Sequence, residues 1–371
     1  MKKKIFIIAG ARPNFVKIAP LIEAINEKRS FLEYKLIHTG QHYEYKMSRV
    51  FLKELGIPNV PKYYTNLGIR SDLYPFTTQI ALMKKELQDI FEKERPDLCL
   101  VVGDCNSAVG GALAASVMKI PLGHVEAGLR SFDRRMPEEI NRLIVDTLSD
   151  YLFATEPSAV KNLIKDGVGK EKIFLTGNVM IDTLLKHKNQ ASKIAMPKKL
   201  NLKDKNYAVL TLHRSENVDQ KATLEEILKA IDEIQKKIKI IWLVHPRTQK
   251  QLEKFGFSGW IKRMGNLKMN APLGYLEMLS LVSQSKFVLT DSGGLQEETT
   301  ALKIPCLTLR DNTERPITVR IGSNKIVGVA KNNIIKESFK IIKGIAKRGK
   351  IPYLWDGRAS KRIIKIILTK N

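Results

Sequence analysis

The 371-residue sequence predicts an α/β protein of two domains, each built on a parallel sheet covered by helices. Three observations carry that expectation. Short continuous apolar runs alternate with amphipathic helical stretches from one end to the other. Most of the runs are rich in β-branched residues and bounded by Gly, Pro or Asp. The chain, 43% hydrophobic, is long enough to bury two cores.

In chain order the apolar runs cover 5–9, 35–38, 98–102, 120–125, 207–212, 240–244, 287–290 and 305–309. They lack strict alternation, as strands buried on both faces do. Between them Ile80, Met83, Leu87 and Ile90 share one helical face, as do Leu224, Ile227, Leu228 and Ile231. From 186 to 206 the apolar periodicity lapses into Lys, Asn and Ser before a fresh strand, which places the interdomain connection near the start of that segment. The stretch 357–368 reads as an amphipathic helix entered through a glycine. There is no internal repeat and no Gly-x-Gly-x-x-Gly fingerprint of a dinucleotide site.

The formal charge of +25 fits nucleic acid, an acidic membrane surface or an anionic small molecule. The lysines fall in scattered pairs such as Lys84-Lys85, Lys198-Lys199 and Lys236-Lys237, which argues against a nucleic-acid face. A Lys- and Ile-rich surface equally fits adaptation to high temperature. No run approaches the roughly 18 apolar residues of a membrane span, so a soluble protein is expected. Three lysines before an apolar run imitate a secretory signal, but Arg12 and Pro13 interrupt it, so the start reads as a first strand. Cys99, Cys105 and Cys306 lack metal-ligand spacing and read as core residues of a chain in the reducing cytoplasm.

Polar and glycine residues gather just after the apolar runs, where open α/β sheets bind ligands. Gly10-Ala11-Arg12-Pro13, with Lys17 in the next helix, offers two cations to a phosphate, or is an ordinary surface turn. In Gly103-Asp104-Cys105-Asn106-Ser107, Asp104 serves a ligand, caps a helix, or does both. Glu126 ends a buried strand, where an unpaired carboxylate is costly, and this points to a role. Glu138 and Arg142 stand four residues apart and also fit a plain surface helix pair.

In the second half, His213 opens His213-Arg214-Ser215-Glu216-Asn217 at a strand end, a position for ligand binding or proton transfer. His245-Pro246-Arg247 repeats the arrangement. Asp291-Ser292-Gly293-Gly294 runs from strand into helix and exposes backbone N–H groups suited to phosphate, with Glu298 about one turn further in and placed to accept from ribose hydroxyls. Arg315, in Arg310-Asp311-Asn312-Thr313-Glu314-Arg315-Pro316, adds a cation.

Taken together, the blocks GARPNFVK, TGQHYE, VVGDCNS, GHVEAGLRSFDRRMPEEINR, TGNVMIDTL, LHRSEN, HPRT, LTDSGGLQEE and RDNTERP resemble the non-hydrolysing UDP-N-acetylglucosamine 2-epimerases, in the same order over nearly the whole chain. The resemblance implies the glycosyltransferase-B architecture, two Rossmann-like domains facing across a cleft, usually as a homodimer. It assigns 1–178 plus a returning terminal helix over 354–371 to the first domain and 179–353 to the second. It implies no cofactor and no metal. The expected reaction is reversible conversion of UDP-GlcNAc to UDP-ManNAc through elimination of UDP, a bound 2-acetamidoglucal and re-addition. A cytoplasmic enzyme with a UDP-sugar substrate follows, with neither nucleic acid nor membrane as partner.

By matching positions, Asp104, Glu126, Glu138 and His213 resemble the family's catalytic groups, and Arg142 completes the site. Arg12 and Lys17 match substrate contacts. Ser292, Gly293, Gly294 and Arg315 match the diphosphate grip, and Glu298 the ribose contact. Gln41, His42, Arg214 and His245 match a neighbouring activator site of several members. Two departures stand out. The 126–138 segment is short, with Arg134-Arg135-Met136 inside it, and is similar to a sister group acting on UDP-diacetamido uronic acids. Met278 replaces a frequent Phe. Alternatives on the same fold are a hydrolysing epimerase that releases ManNAc and UDP, and a retaining glycosyltransferase.

Overall fold

Among the described residues thirteen strands form two parallel sheets. The computed structural model describes residues 2–40, 51–58, 60, 62–70 and 73–370. Gln41 and His42 lie outside the described residues. The first sheet contains β1 (Lys3–Ala9), β2 (Leu32–His38), β3 (Tyr64–Asn66), β4 (Leu98–Val102), β5 (Leu122–Ala127), β6 (Tyr151–Ala154) and β7 (Ile173–Leu175) in the order β3-β2-β1-β4-β5-β6-β7. The second contains β8 (Tyr207–Leu212), β9 (Lys239–Val244), β10 (Leu267–Asn270), β11 (Phe287–Thr290), β12 (Cys306–Thr308) and β13 (Asn324–Ile326) in the order β10-β9-β8-β11-β12-β13. Both orders are Rossmann-like.

In each sheet the strand order reverses beside one central strand. The reversal lies between β1 and β4 in the first sheet and between β8 and β11 in the second. Helices leave the two flanking strands on opposite faces there, which opens a crevice beyond the carboxyl ends. Residues 10–17 and 103–107 follow β1 and β4, and 213–217 and 291–298 follow β8 and β11. Sheet order therefore positions the candidate residues.

The eight apolar runs read from the sequence all form strands. β4 and β5 are buried at every residue, which explains their unbroken apolar character. The strands without a sequence signal are β3, β6, β7, β10 and β13, of three or four residues each; four of them stand at sheet edges. They take their conformation from a neighbour's hydrogen bonds rather than from their own pattern. Trp242, Leu210 and Ile231 lie in the core of the second sheet, and Phe6, Val101 and Phe91 in that of the first.

The chain packs as two units, 1–185 with 353–371, and 186–352. The crossing falls inside the helix Val179–Ile194, at the edge of the Lys-rich stretch where periodicity lapses. The terminal helix Ala359–Thr369 belongs to the first unit and buries Ile363, Ile364 and Ile367. Each buried isoleucine contributes roughly 1.5–3 kcal/mol. Its start is fastened by Asp182, whose carboxylate accepts from the amides of Ala359 (3.1 Å) and Ser360 (2.7 Å) and from the Ser360 hydroxyl (2.7 Å). Among the described residues no helix is long and apolar enough to cross a membrane.

Candidate active site

In the first unit the ends of β4 and β5 converge on a buried charge cluster. Gly103 turns the chain out of β4 with φ +70°. A Cβ there would stand 3.3 Å from Lys17 Nζ, so glycine lets the backbone approach that ammonium. Glu126 also adopts a left-handed backbone, φ +76°, at a break in the β5–β6 register between Val125 and Ala127. Such a conformation costs a non-glycine residue on the order of 1–3 kcal/mol and is typical of functional sites. The irregularity re-aims the side chain.

Glu126 is 2% exposed, and a carboxylate so deep requires cations. Lys17, itself buried, forms an ion pair with it, and Arg142 Nη2 lies 3.8 Å away. The same Arg142 nitrogen meets Asp104 Oδ2 at 2.5 Å. The structure thus brings Lys17, Glu126, Arg142 and Asp104 together. The Asp104 side chain is 27% exposed while the other three are almost sealed, so Asp104 is the carboxylate of the group that solvent reaches.

Glu138 stands exposed in the first turn of the helix Pro137–Leu148, outside this buried group. Its neighbour Glu139 is buried and accepts from Ser131 N (2.7 Å), Ser131 Oγ (2.8 Å) and Phe132 N (3.2 Å), which pins the loop ahead of the helix. Arg142 is 1% exposed and points at Asp104, so the reading of 138 and 142 as a plain surface pair does not describe it. Asn141 Nδ2 donates to the Asp104 carbonyl at 2.9 Å. Arg12 is half-buried, its guanidinium 6.0 Å from the Phe51 ring centre.

Two supports beneath this cluster were not singled out from the sequence. Asn14 accepts from Gly10 N (3.2 Å) and Ala11 N (2.9 Å) and donates to Val102 O (3.1 Å), tying the ends of β1 and β4. His124 is fully buried, with Nδ1 2.6 Å from Asp146 and Nε2 2.9 Å from the Gly103 carbonyl. Both ring nitrogens face acceptors, the geometry of a ring that donates both N–H groups. Burial pushes the Asp146 pKa up, but the charges of His124 and Arg130 outweigh it and hold the carboxyl below the ordinary range. The signal for His124 was a polar ring inside the apolar run that leads to Glu126.

In the second unit Asp291 organises the ends of β8 and β11. It is fully buried and accepts from the amides of His213 (3.0 Å) and Arg214 (2.9 Å) and from Asn217 Nδ2 (3.2 Å). Its other contact is His213 Nδ1 at 2.8 Å. Burial raises its pKa, and His213 with the two backbone donors brings it down to about 2. With Nδ1 held, the half-exposed His213 ring has Nε2 for a ligand. The His245 ring centre lies 5.8 Å from that of His213, and His245 Nδ1 accepts from Arg247 N at 3.2 Å.

Ser292 precedes the helix Gly293–Leu302, whose first residues are Gly293 and Gly294. Free amides and the positive end of the helix dipole favour an anion there. Glu298, one turn in, is buried, and burial raises its pKa to about 7, Tyr275 opposing and Glu297 reinforcing the shift. Arg315 Nε pairs with Glu297 at 3.0 Å and Arg315 Nη1 with Glu314 at 2.6 Å. Among the described residues no group of three or more His, Cys, Asp or Glu side chains is arranged to hold a metal ion.

The family model described as UDP-N-acetylglucosamine 2-epimerase matches residues 24–368. The chain is 42% identical to the UDP-N-acetylglucosamine 2-epimerase of Methanocaldococcus jannaschii, with 98% of each chain covered. It is 39% identical to the UDP-2,3-diacetamido-2,3-dideoxy-D-glucuronate 2-epimerase of Pseudomonas aeruginosa, covering 98% of this chain and 99% of that one. The M. jannaschii enzyme crystallised with UDP-GlcNAc and UDP superposes with a TM-score of 0.89 over 99% of both chains, at 42% identity. A lipopolysaccharide outer core galactosyltransferase, 13% identical, superposes over the full length of both chains with a TM-score of 0.58, a likeness of fold alone that agrees with the glycosyltransferase-B class. On the family match and these identities, the chain belongs to the UDP-N-acetylglucosamine 2-epimerase family.

Proposed function

We infer that the chain interconverts UDP-GlcNAc and UDP-ManNAc without hydrolysis and without a cofactor. A base takes the C2 proton as the C1–O bond breaks toward UDP, and the C–H electron pair becomes the C1–C2 double bond of a bound 2-acetamidoglucal. A proton then returns to the opposite face of C2 while a UDP oxygen adds back to C1. The C2 hydrogen is barely acidic, so a positioned carboxylate and a stabilised leaving group must act together.

One observation supports this reading above the rest: Lys17 and Arg142 grip Glu126 and Asp104 at adjoining strand ends, with Glu126 held in a strained backbone. Asp104 and Glu138, the accessible carboxylates, exchange the protons, and sealed Glu126 supplies fixed charge. Arg12 and Lys17 contact the substrate, and His213 completes the site. Ser292, Gly293, Gly294 and Arg315 hold the diphosphate and Glu298 the ribose. The protein works on a UDP-sugar as a cytoplasmic homodimer.

Turnover in deuterated water tests the reading. Epimerisation places deuterium at C2 with the sugar still attached to UDP. Free ManNAc as the main product would instead assign the hydrolysing reaction.

A second reading has an observation of its own. The short 126–138 segment with exposed Arg134, and the 39% identity to an enzyme named for a diacetamido uronic acid, favour a UDP-diacetamido uronic acid as substrate. Comparing kcat/KM for UDP-GlcNAc and that uronic acid decides between the two.

A further inference from the structure

Glu314 lies beside Arg315 and Gly293, two of the residues proposed to hold the diphosphate, and no step above uses it. It is 4% exposed, and three guanidinium groups close on its carboxylate. Arg310 Nη1 is 2.8 Å from Oε2; Arg315 Nη1 and Arg214 Nη2 are 2.6 Å and 3.3 Å from Oε1. Burial opposes its ionisation, yet Arg315, Arg310 and Arg214 outweigh that and hold the carboxyl far below the ordinary range. The three guanidinium groups favour its ionised form.

The start of the helix Gly293–Leu302 is its other neighbour. A Cβ built on Gly293 would stand 2.6 Å from Arg315 Nη1 and 2.8 Å from Glu314 Oε1. The ion pair is thus pressed against the first residue of that helix, in a space that only glycine leaves open. Guanidinium groups and a helix start together make the surroundings that a phosphate oxygen seeks. Here a side-chain carboxylate already occupies them.

We propose that Glu314 is a resident counter-anion of the nucleotide site. Its carboxylate stands in for a phosphate against Arg214, Arg310 and Arg315 when no nucleotide is bound, and it competes with the UDP diphosphate for the same guanidinium groups afterwards. This rests on the UDP-sugar reading above. The arrangement has two effects of opposite sign. The arginines are ordered in advance, so less freedom is lost on binding. Part of their attraction for UDP is cancelled, which matters where UDP must both leave C1 and return to it. Binding that gripped free UDP as strongly as the transition state would not speed the reaction.

Calorimetric titration of UDP into the full-length protein at low and high salt tests this. Glu314→Gln keeps the volume and an acceptor oxygen but removes the charge, and should bind UDP about tenfold more tightly. Its affinity should also fall more steeply as salt rises. Glu314→Asp keeps the charge but withdraws it from Arg315 and Arg214, and should fall between Gln and wild type. A merely structural role would give weaker binding, the opposite sign. Equal or weaker UDP binding in a folded variant overturns the proposal, and if Glu314→Gln does not fold, Glu314→Asp decides alone. A wild-type protein that binds UDP but leaves UDP-GlcNAc unchanged would sink the epimerase reading, while the same titrations still settle Glu314. No affinity of the wild type for UDP would sink both.

Discussion

Arg142 donates to Asp104 across 2.5 Å, so the helix Pro137–Leu148 is fastened to the turn after β4 by a guanidinium that is 1% exposed. Replacing it with methionine keeps most of the packing and leaves Glu126 with Lys17 as its named cation. Loss of one partner of a buried ionic group costs about 3–5 kcal/mol. We expect Arg142→Met to lose that stability in urea unfolding and at least about a hundredfold in turnover of UDP-GlcNAc. Arg142→Lys should recover much of the stability but little of the rate, since an ammonium cannot reproduce the guanidinium fork.

Glu126→Gln separates chemistry from nucleotide binding. The variant keeps the shape at a position whose left-handed backbone is already strained. Turnover should fall below detection while UDP affinity, which the proposal assigns to the second unit, stays within about threefold of wild type. Wild-type turnover in the purified variant would remove Glu126 from the reaction.

Glu298 predicts a pH-dependent stability. Its pKa in the folded protein, about 7, lies above the ordinary 4.5, so the folded state binds the proton more firmly than the unfolded chain. The associated stabilisation is complete below the unfolded value and is lost as pH rises through the folded one. Glu298→Gln imitates the protonated form. Relative to that variant, wild type should lose up to about 3 kcal/mol between pH 4.5 and pH 7 and change little above it. Denaturant melts at both ends of the range measure it, and parallel stabilities would contradict the burial argument.

Asp182→Ala addresses the terminal helix rather than the site. It removes the acceptor for three hydrogen bonds at the helix start. We expect a loss of about 1–3 kcal/mol in thermal or denaturant unfolding. Turnover per folded molecule should remain at the wild-type level, and a drop in kcat would link the terminal helix to catalysis.

Much of this site could be read along the chain. Asp104, Glu126 and Asp291 each follow an apolar run, because a parallel strand buried on both faces must be apolar until it ends and the first polar residues then stand at the sheet edge. Arg142 could be read in two ways for a related reason. Spacing of four residues describes any helix face, and only burial shows that this face looks toward β4 and β5 rather than toward water.

His124, Asn14, Glu139 and Glu314 escaped assignment because their partners are distant in sequence or hidden by a local pattern that is polar in any loop. His124 needs Asp146 and the Gly103 carbonyl, and Glu314 needs Arg214 a hundred residues earlier. Periodicity and strand-end chemistry, both short-range properties, were enough to predict two parallel α/β domains and phosphate-suited turns, and the nucleotide-sugar chemistry came from the resemblance of the ordered motifs to a known family. Which carboxylates are sealed, which cation each one meets, and where the backbone is strained follow from sheet order and packing, because burial and Coulomb interactions act between residues that only the folded chain makes neighbours.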